Sequence, residues 1–155
     1  MSYQIRAARA AEAERILELL PRLAAFSIPE RRTPEHLWQG DAELLQQWAR
    51  GGAPQCLVLV ATAGDEAILG VAMASLREEL LSHAPSVHLE VLAVRGDAEG
   101  RGIGKALVSA IEQAARERGA TSMTLHVFAT NHRARAVYEQ LGYDGELLRY
   151  IKHFE

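Results

Sequence analysis

The chain has 155 residues, 48% of them apolar and 24% charged, with 17 Lys and Arg against 20 Asp and Glu for a net charge of −3. That length holds one core and is too short for two, and the composition is that of an ordinary globular domain. The near-neutral balance excludes long-range attraction of a polyanion, so nucleic acid is not an expected partner. The single cysteine, Cys56, sits in the apolar run Cys56-Leu57-Val58-Leu59-Val60 and reads as a small buried hydrophobe. Arg6, Arg9, Glu12 and Arg15 interrupt any signal-peptide core, and no apolar run reaches the roughly 18 residues of a membrane span. The expectation is a cytoplasmic protein with no membrane partner.

Residues 3–6 read as a short strand. An amphipathic helix over 10–20 follows, with Ile16, Leu19, Leu20 and Leu23 on one face and Pro21 as its end. Thr33-Pro34 starts a second helix; Gly40 interrupts it, Asp41 caps a further piece carrying Leu44, Leu45 and Trp48, and Gly51-Gly52 stops it. The pattern then turns β-rich. Segments 55–61 and 67–75 form a hairpin, 77–85 is a polar excursion, and 87–94 is a further strand. Residues 100–118 are a strong helix with Ile103, Leu107, Ile111 and Ala114 at helical spacing, ended by Gly119. A strand over 122–128, a helix over 131–141 stopped by Gly142, and one or two short strands within 143–154 complete the chain. This order predicts a single α/β domain over 1–155 with a mixed sheet. The strand–helix–strand unit over 87–128 joins parallel strands.

The most informative stretch is Glu99-Gly100-Arg101-Gly102-Ile103-Gly104-Lys105, placed between a strand and a helix. Glycines let the backbone bend tightly and uncover its N–H groups, and the helix N-terminus adds partial positive charge, so such a turn holds a phosphate or pyrophosphate. A Walker A loop needs Ser or Thr after its Lys, and Ala106 stands there. A dinucleotide fingerprint needs a different glycine spacing and comes early in a larger fold. The remaining readings are a pyrophosphate loop of acetyl-CoA-dependent enzymes and a bare strand–helix joint.

At this point the chain resembles the GCN5-related N-acetyltransferase (GNAT) family. Its signature is Gln or Arg, two residues, Gly, one residue, then Gly or Ala; Gly102 and Gly104 fill the glycine positions, and Glu99 departs from Gln or Arg. Upstream, His88-Leu89-Glu90-Val91-Leu92-Ala93-Val94 looks like the family's central strand. Downstream, Asn131, Ala134, Tyr138 and Leu141-Gly142-Tyr143 match its later helix. The resemblance covers about residues 67–143 and fits the first 50 or so only loosely. It implies a GNAT-like fold, with the two parallel strands splayed in a V and flanked by helices. It implies acetyl-CoA as co-substrate and no metal. Leu92, Ala93 and Val94 would hold the pantetheine arm through their backbone. Gly100, Arg101, Gly102, Ile103, Gly104 and Lys105, with Glu99, would hold the pyrophosphate, and Asn131 would add a hydrogen bond or cap its helix. The acceptor would be an amine of a small molecule, peptide or protein, and the family allows a homodimer.

Acetyl transfer to an amine needs removal of the ammonium proton, polarisation of the thioester carbonyl, and a proton for the departing thiolate. By resemblance Tyr138 is the acid; the bland alternative is an amphipathic core tyrosine. Glu90 is a charge inside an apolar strand, costly without purpose or partner. Strict alternation puts it on one face with His88, opposite Leu89 and Val91. Burial would raise its pKa toward that of a general base; the alternative is pairing with an arginine on a neighbouring strand. His88, Glu79 and His83 are weaker candidates, and Arg31 and Arg32 could meet an acceptor carboxylate. The rival readings are a non-catalytic acyl-CoA-binding regulatory module and a small dinucleotide-binding protein.

Overall fold

The computed structural model describes residues 2–155. Strand β1 (Gln4–Ala7) leads through a 3-10 turn (Ala10–Glu12) into α1 (Ala13–Leu17), then 3-10 turns at Leu20–Ala24 and Pro34–Leu37 and the helix α2 (Gln39–Ala49). The hairpin of β2 (Cys56–Thr62) and β3 (Ile68–Glu78) follows, then β4 (Pro85–Val94), α3 (Ile103–Glu117), β5 (Met123–Leu125) and α4 (His132–Gln140). One five-stranded sheet runs in the order β1-β2-β3-β4-β5; the first four strands are antiparallel neighbours and β5 is parallel to β4. This is the expected α/β domain with a mixed sheet.

Each face of the sheet carries its own core. On one, Leu57, Ala72, Leu89 and neighbours pack beneath Ile103, Leu107 and Ile111 of α3. These three helical residues recur at the spacing of one helix face, and none is more than 1% exposed. The approach is close at Gly70, where an added Cβ would lie 3.1 Å from the Leu107 side chain and 3.2 Å from the Ala93 carbonyl. On the other face Val58, Val60, Val71 and Met73 pack against Ile16, Leu20 and Leu45 from the helices before the hairpin.

Several sequence expectations need correction. The first helix stops at Leu17 rather than running through residue 20, because the Pro21 ring clashes with the carbonyl four residues back; the chain continues as a 3-10 turn with Pro21 in its first positions. Gly40 does not interrupt α2 but lies in its first turn, and Asp41 does not cap a helix: Trp38 holds that position. The tail beyond Tyr143 forms no strand. A strand needs an edge to take its backbone bonds, and β5 offers only three residues. Leu148, Tyr150 and Phe154 consequently stand exposed, and Glu155 is tied back by Arg31 at 2.7 Å.

The geometry that matters most is at Glu90. Met73 of β3 pairs with Val91 and the next residue, Ala74, pairs with Leu89, so Glu90 is the extra residue of a β-bulge. The bulge breaks the alternation assumed from sequence: Leu89 faces the α3 core and Val91 faces the opposite one. It also marks where β4 and β5 part. Their ladder ends at Leu89↔Leu125, while β4 runs on to Val94 paired with β3 alone. The strand predicted over 122–128 is cut short for this reason.

Candidate active site

The splay opens a cleft of about 450 Å³ between the free side of β4 and helices α3 and α4, lined by Leu92, Ala93, Val94, the glycine turn and Tyr138. The backbone of β4 faces it with its β5-side groups unpaired by any strand, as an amide-rich ligand arm requires. At the turn Gly100 and Gly102 have φ of +81° and +77°, the left-handed region that glycine enters without a Cβ clash. Gly102 is the N-cap of the 15-residue α3, so the first N–H groups of the helix open on the cleft. Ile103 buries its side chain in the core and leaves only backbone to the cleft. Arg101, expected to add charge here, is not among the residues lining the cleft, and its Nη1 is buried without a partner. These features fit the pyrophosphate and pantetheine of a coenzyme A ester.

The two other charged residues of this stretch are tied to protein groups. Lys105 Nζ donates to Gln140 Oε1 of α4 at 2.7 Å. Glu99, the departure from the usual Gln or Arg, accepts from Arg133 Nη1 of α4 at 2.7 Å and from Arg22 of the Leu20–Ala24 turn. The Arg133 hydrogen bond is the main cause holding its carboxyl below the ordinary range. Glu99 thus links the two walls of the cleft, and Arg22 also donates from Nε to the Val94 carbonyl at 3.3 Å. Asn131 caps α4 by accepting from Ala134 N at 3.3 Å and lines the cleft as well.

A second cavity, of about 190 Å³, adjoins the first and shares Arg22, Leu92, Asn131 and Tyr138 with it. Tyr138 therefore stands where the two meet. Burial pushes its phenol up to about 12, so it is a neutral donor throughout the physiological range. Glu90 lines the second cavity and meets the arginine anticipated as its alternative partner: Arg77 Nη2 of β3 lies 3.1 and 3.2 Å from its oxygens, and Ser75 Oγ donates at 3.0 Å. The carboxylate is thereby held in one orientation. His88 Nε2 is 3.7 Å from Glu90, and Nδ1 is hydrogen-bonded to Thr124 Oγ1 at 2.7 Å. Burial, reinforced by the Arg77 charge, holds the His88 imidazole below its ordinary range, so it is a neutral neighbour.

Sequence reasoning missed Asp41, whose carboxylate lines the second cavity from α2. Burial, with the Glu90 charge adding, pushes it up to about 7. The signal was a lone acid in the first turn of a helix, which reads equally as a cap. The weaker candidates are elsewhere employed. Glu79 accepts from Leu81 N and Ser82 N in its own turn, His83 lies 3.4 Å from Glu78 on the surface, and Arg31 anchors the tail. Among the described residues no three His, Cys, Asp or Glu side chains gather as a metal site would need, and no helix is long and apolar enough to cross a membrane.

A splayed parallel strand pair beside a glycine turn at a helix start defines an α/β protein with a cleft between β4, α3 and α4. The model of the acetyltransferase (GNAT) family matches residues 13–143, and the chain belongs to that family. It is 36% identical over 124 residues to a mycothiol acetyltransferase of Beutenbergia cavernae, covering 77% of this chain and 40% of that protein. It is 48% identical over 44 residues to the uncharacterized N-acetyltransferase YycN of Bacillus subtilis, 28% of each chain. The chain thus spans well under half the length of these curated relatives. Among solved structures, a putative acetyl transferase from Pyrococcus furiosus superposes with a TM-score of 0.80 at 23% identity, over 99% of this chain and 100% of that one.

Proposed function

We propose that this chain is an enzyme that transfers an acetyl group from acetyl-CoA to a primary amine by direct attack within a ternary complex. The single observation that carries this reading is the meeting of the two cavities at Tyr138. One is suited to a coenzyme A ester, and the other carries carboxylates suited to an amine. When bound, the thioester supplies an activated acetyl group. The backbone of Leu92, Ala93 and Val94 and the N–H groups of the glycine turn would hold it. Glu90, fixed by Arg77 and Ser75, accepts the proton the amine must lose before its lone pair is free. Tyr138 keeps a proton on its phenol oxygen, available where a thiolate must be neutralised. The presence of both Glu90 and Tyr138 favours catalysis over a purely regulatory acyl-CoA-binding role.

The test is release of free thiol from acetyl-CoA with a panel of amines; no amine consuming it would overturn the reading. Glu90→Gln is expected to lower kcat by about 100-fold, the ordinary contribution of a positioned base, with the KM for acetyl-CoA unchanged. Gly102→Val places a β-branched residue at φ +77° with nothing within 4 Å to clash, so its effect is conformational. A left-handed L-residue costs about 1–2 kcal/mol, so coenzyme A should bind roughly tenfold more weakly by calorimetry. Unchanged affinity would remove the turn from the binding site.

A further inference from the structure

We infer that the acceptor is a small primary amine with an apolar, aryl-sized substituent and no anionic group beside its nitrogen, and that Asp41 selects it by pairing with its ammonium. The inference rests on the acetyltransferase reading and narrows its acceptor.

The first argument is charge. Three side chains with a formal charge line the second cavity: Arg22, Asp41 and Glu90. Arg22 is engaged by Glu99 and the Val94 carbonyl, and Glu90 by Arg77 and Ser75. Asp41 has no such partner: what acts on it is burial and the like charge of Glu90. A half-buried carboxylate without a counter-charge is costly, and a cation placed beside it relieves that cost. An acceptor carrying a carboxylate or phosphate near its nitrogen would meet two acids and no free guanidinium, which is repulsive.

The second argument is shape. The cavity is also walled by Leu23, Leu37, Phe26 and Phe128, the two rings 5.6 Å apart and tilted by 39°. Ring faces receive hydrocarbon and also attract an ammonium. The cavity of about 190 Å³ falls below the roughly 300–1,000 Å³ of pockets that engulf drug-sized ligands, so it admits the reacting nitrogen and one substituent rather than an oligosaccharide. An ammonium has three N–H donors. One pairs with Asp41, which keeps its charge, while the proton lost before attack passes to the Glu90 carboxylate. A neutral amine, a protonated Glu90 and the Asp41 carboxylate remain.

The experiment compares 2-phenylethylamine with L-phenylalanine, the same skeleton with a carboxylate beside the nitrogen. With acetyl-CoA saturating, kcat/KM should favour 2-phenylethylamine by at least about 100-fold, the scale of an unpaired interfacial charge. Asp41→Asn should raise the KM for 2-phenylethylamine by about tenfold or more, leave the KM for acetyl-CoA within twofold, and shrink the preference between the two acceptors. A wild-type enzyme that uses L-phenylalanine equally well, or an unchanged KM in Asp41→Asn, overturns the inference. Calorimetric binding of 2-phenylethylamine to the protein saturated with coenzyme A separates the two readings. Binding that weakens in Asp41→Asn, with no amine of the panel turned over, supports the amine site at Asp41 and refutes the acetyltransferase reading. Turnover of other amines with no such binding refutes this inference alone.

The variant's fold is checked by melting. The titratable and charged groups that share the cavity with Asp41 are Glu90 from β4, Arg22, His126 after β5 and Tyr138 from α4. Because its carboxyl is raised in the folded state, wild-type stability falls as pH rises from about 4 through about 7. Asp41→Asn should therefore melt above wild type near pH 8, with the difference shrinking as pH falls and vanishing near pH 4.

Discussion

Replacing Tyr138 by Phe should lower kcat about 100-fold or more while the affinity for coenzyme A stays within twofold, since a positioned acid contributes roughly 10²–10⁴-fold. Only the hydroxyl is removed. The ring keeps its packing, including the edge contact with Tyr143 at 6.0 Å, so the melting temperature should hold. The pH profile gives a second readout. Because burial alone places the phenol at about 12, no alkaline loss of activity below that pH belongs to Tyr138. A descending limb nearer the ordinary tyrosine range that vanishes in Tyr138→Phe would contradict the desolvation described here. Full activity in Tyr138→Phe would leave the residue as a core tyrosine and move the acid elsewhere.

The largest effect on stability is expected at a residue remote from the cleft. Glu12, only 2% exposed, accepts from Arg6 at 2.9 and 2.7 Å, from Arg9 N at 2.8 Å and from Arg15 at 3.2 Å. It joins β1 to the first helical turn, and the bond to Arg9 N satisfies a donor at the start of that turn. Removing Glu12 leaves the Arg6 guanidinium, its side chain only 16% exposed, with the longer 3.5 Å contact to Glu66, so Glu12→Ala should cost about 3–5 kcal/mol. At about 2–4 °C per kcal/mol, the melting temperature falls by roughly 6–20 °C. The pH dependence has a definite sign. The Arg6 hydrogen bond is the chief cause lowering the Glu12 carboxyl to about 2. Its contribution is therefore present above the unfolded value near 4.5 and is lost as pH falls through about 2. Glu12→Gln should flatten that acid limb, and an unchanged limb would mean the pairing does not form.

Glu12 was legible only as a charge that breaks an apolar run, although an acid three residues after a helix start is also a capping signature. Asp41 shows the same ambiguity in reverse: its place near a helix start suggested a cap, and the backbone instead uses Trp38, leaving the carboxylate to the cavity. Glu90 was recognised as a charge in an apolar strand; the arginine weighed as the alternative to a catalytic role is present, and the carboxylate also lines a cavity. What alternation could not supply was the bulge, because a one-residue insertion in pairing depends on the register of β3 against β4. The tail illustrates the limit for strands. The run Leu147-Leu148-Arg149-Tyr150-Ile151 has β-forming residues, yet a strand exists only where a neighbour takes its hydrogen bonds.

By itself the sequence determined what local chemistry decides. Helical spacing set the α3 face, glycines set the turn at its start, and Asn131 set the start of α4. These depend on contacts a few residues apart, and the order of such elements was enough to indicate the family. The tertiary structure decided what requires distant segments to meet. It parted β4 from β5 after Leu89, turned Glu90 out at a bulge, bridged Arg22 and Arg133 through Glu99, and brought Asp41 of α2 to the same cavity as Phe128. Charge and burial at those positions follow from which surfaces pack together, and that is a property of the whole fold rather than of any one stretch of chain.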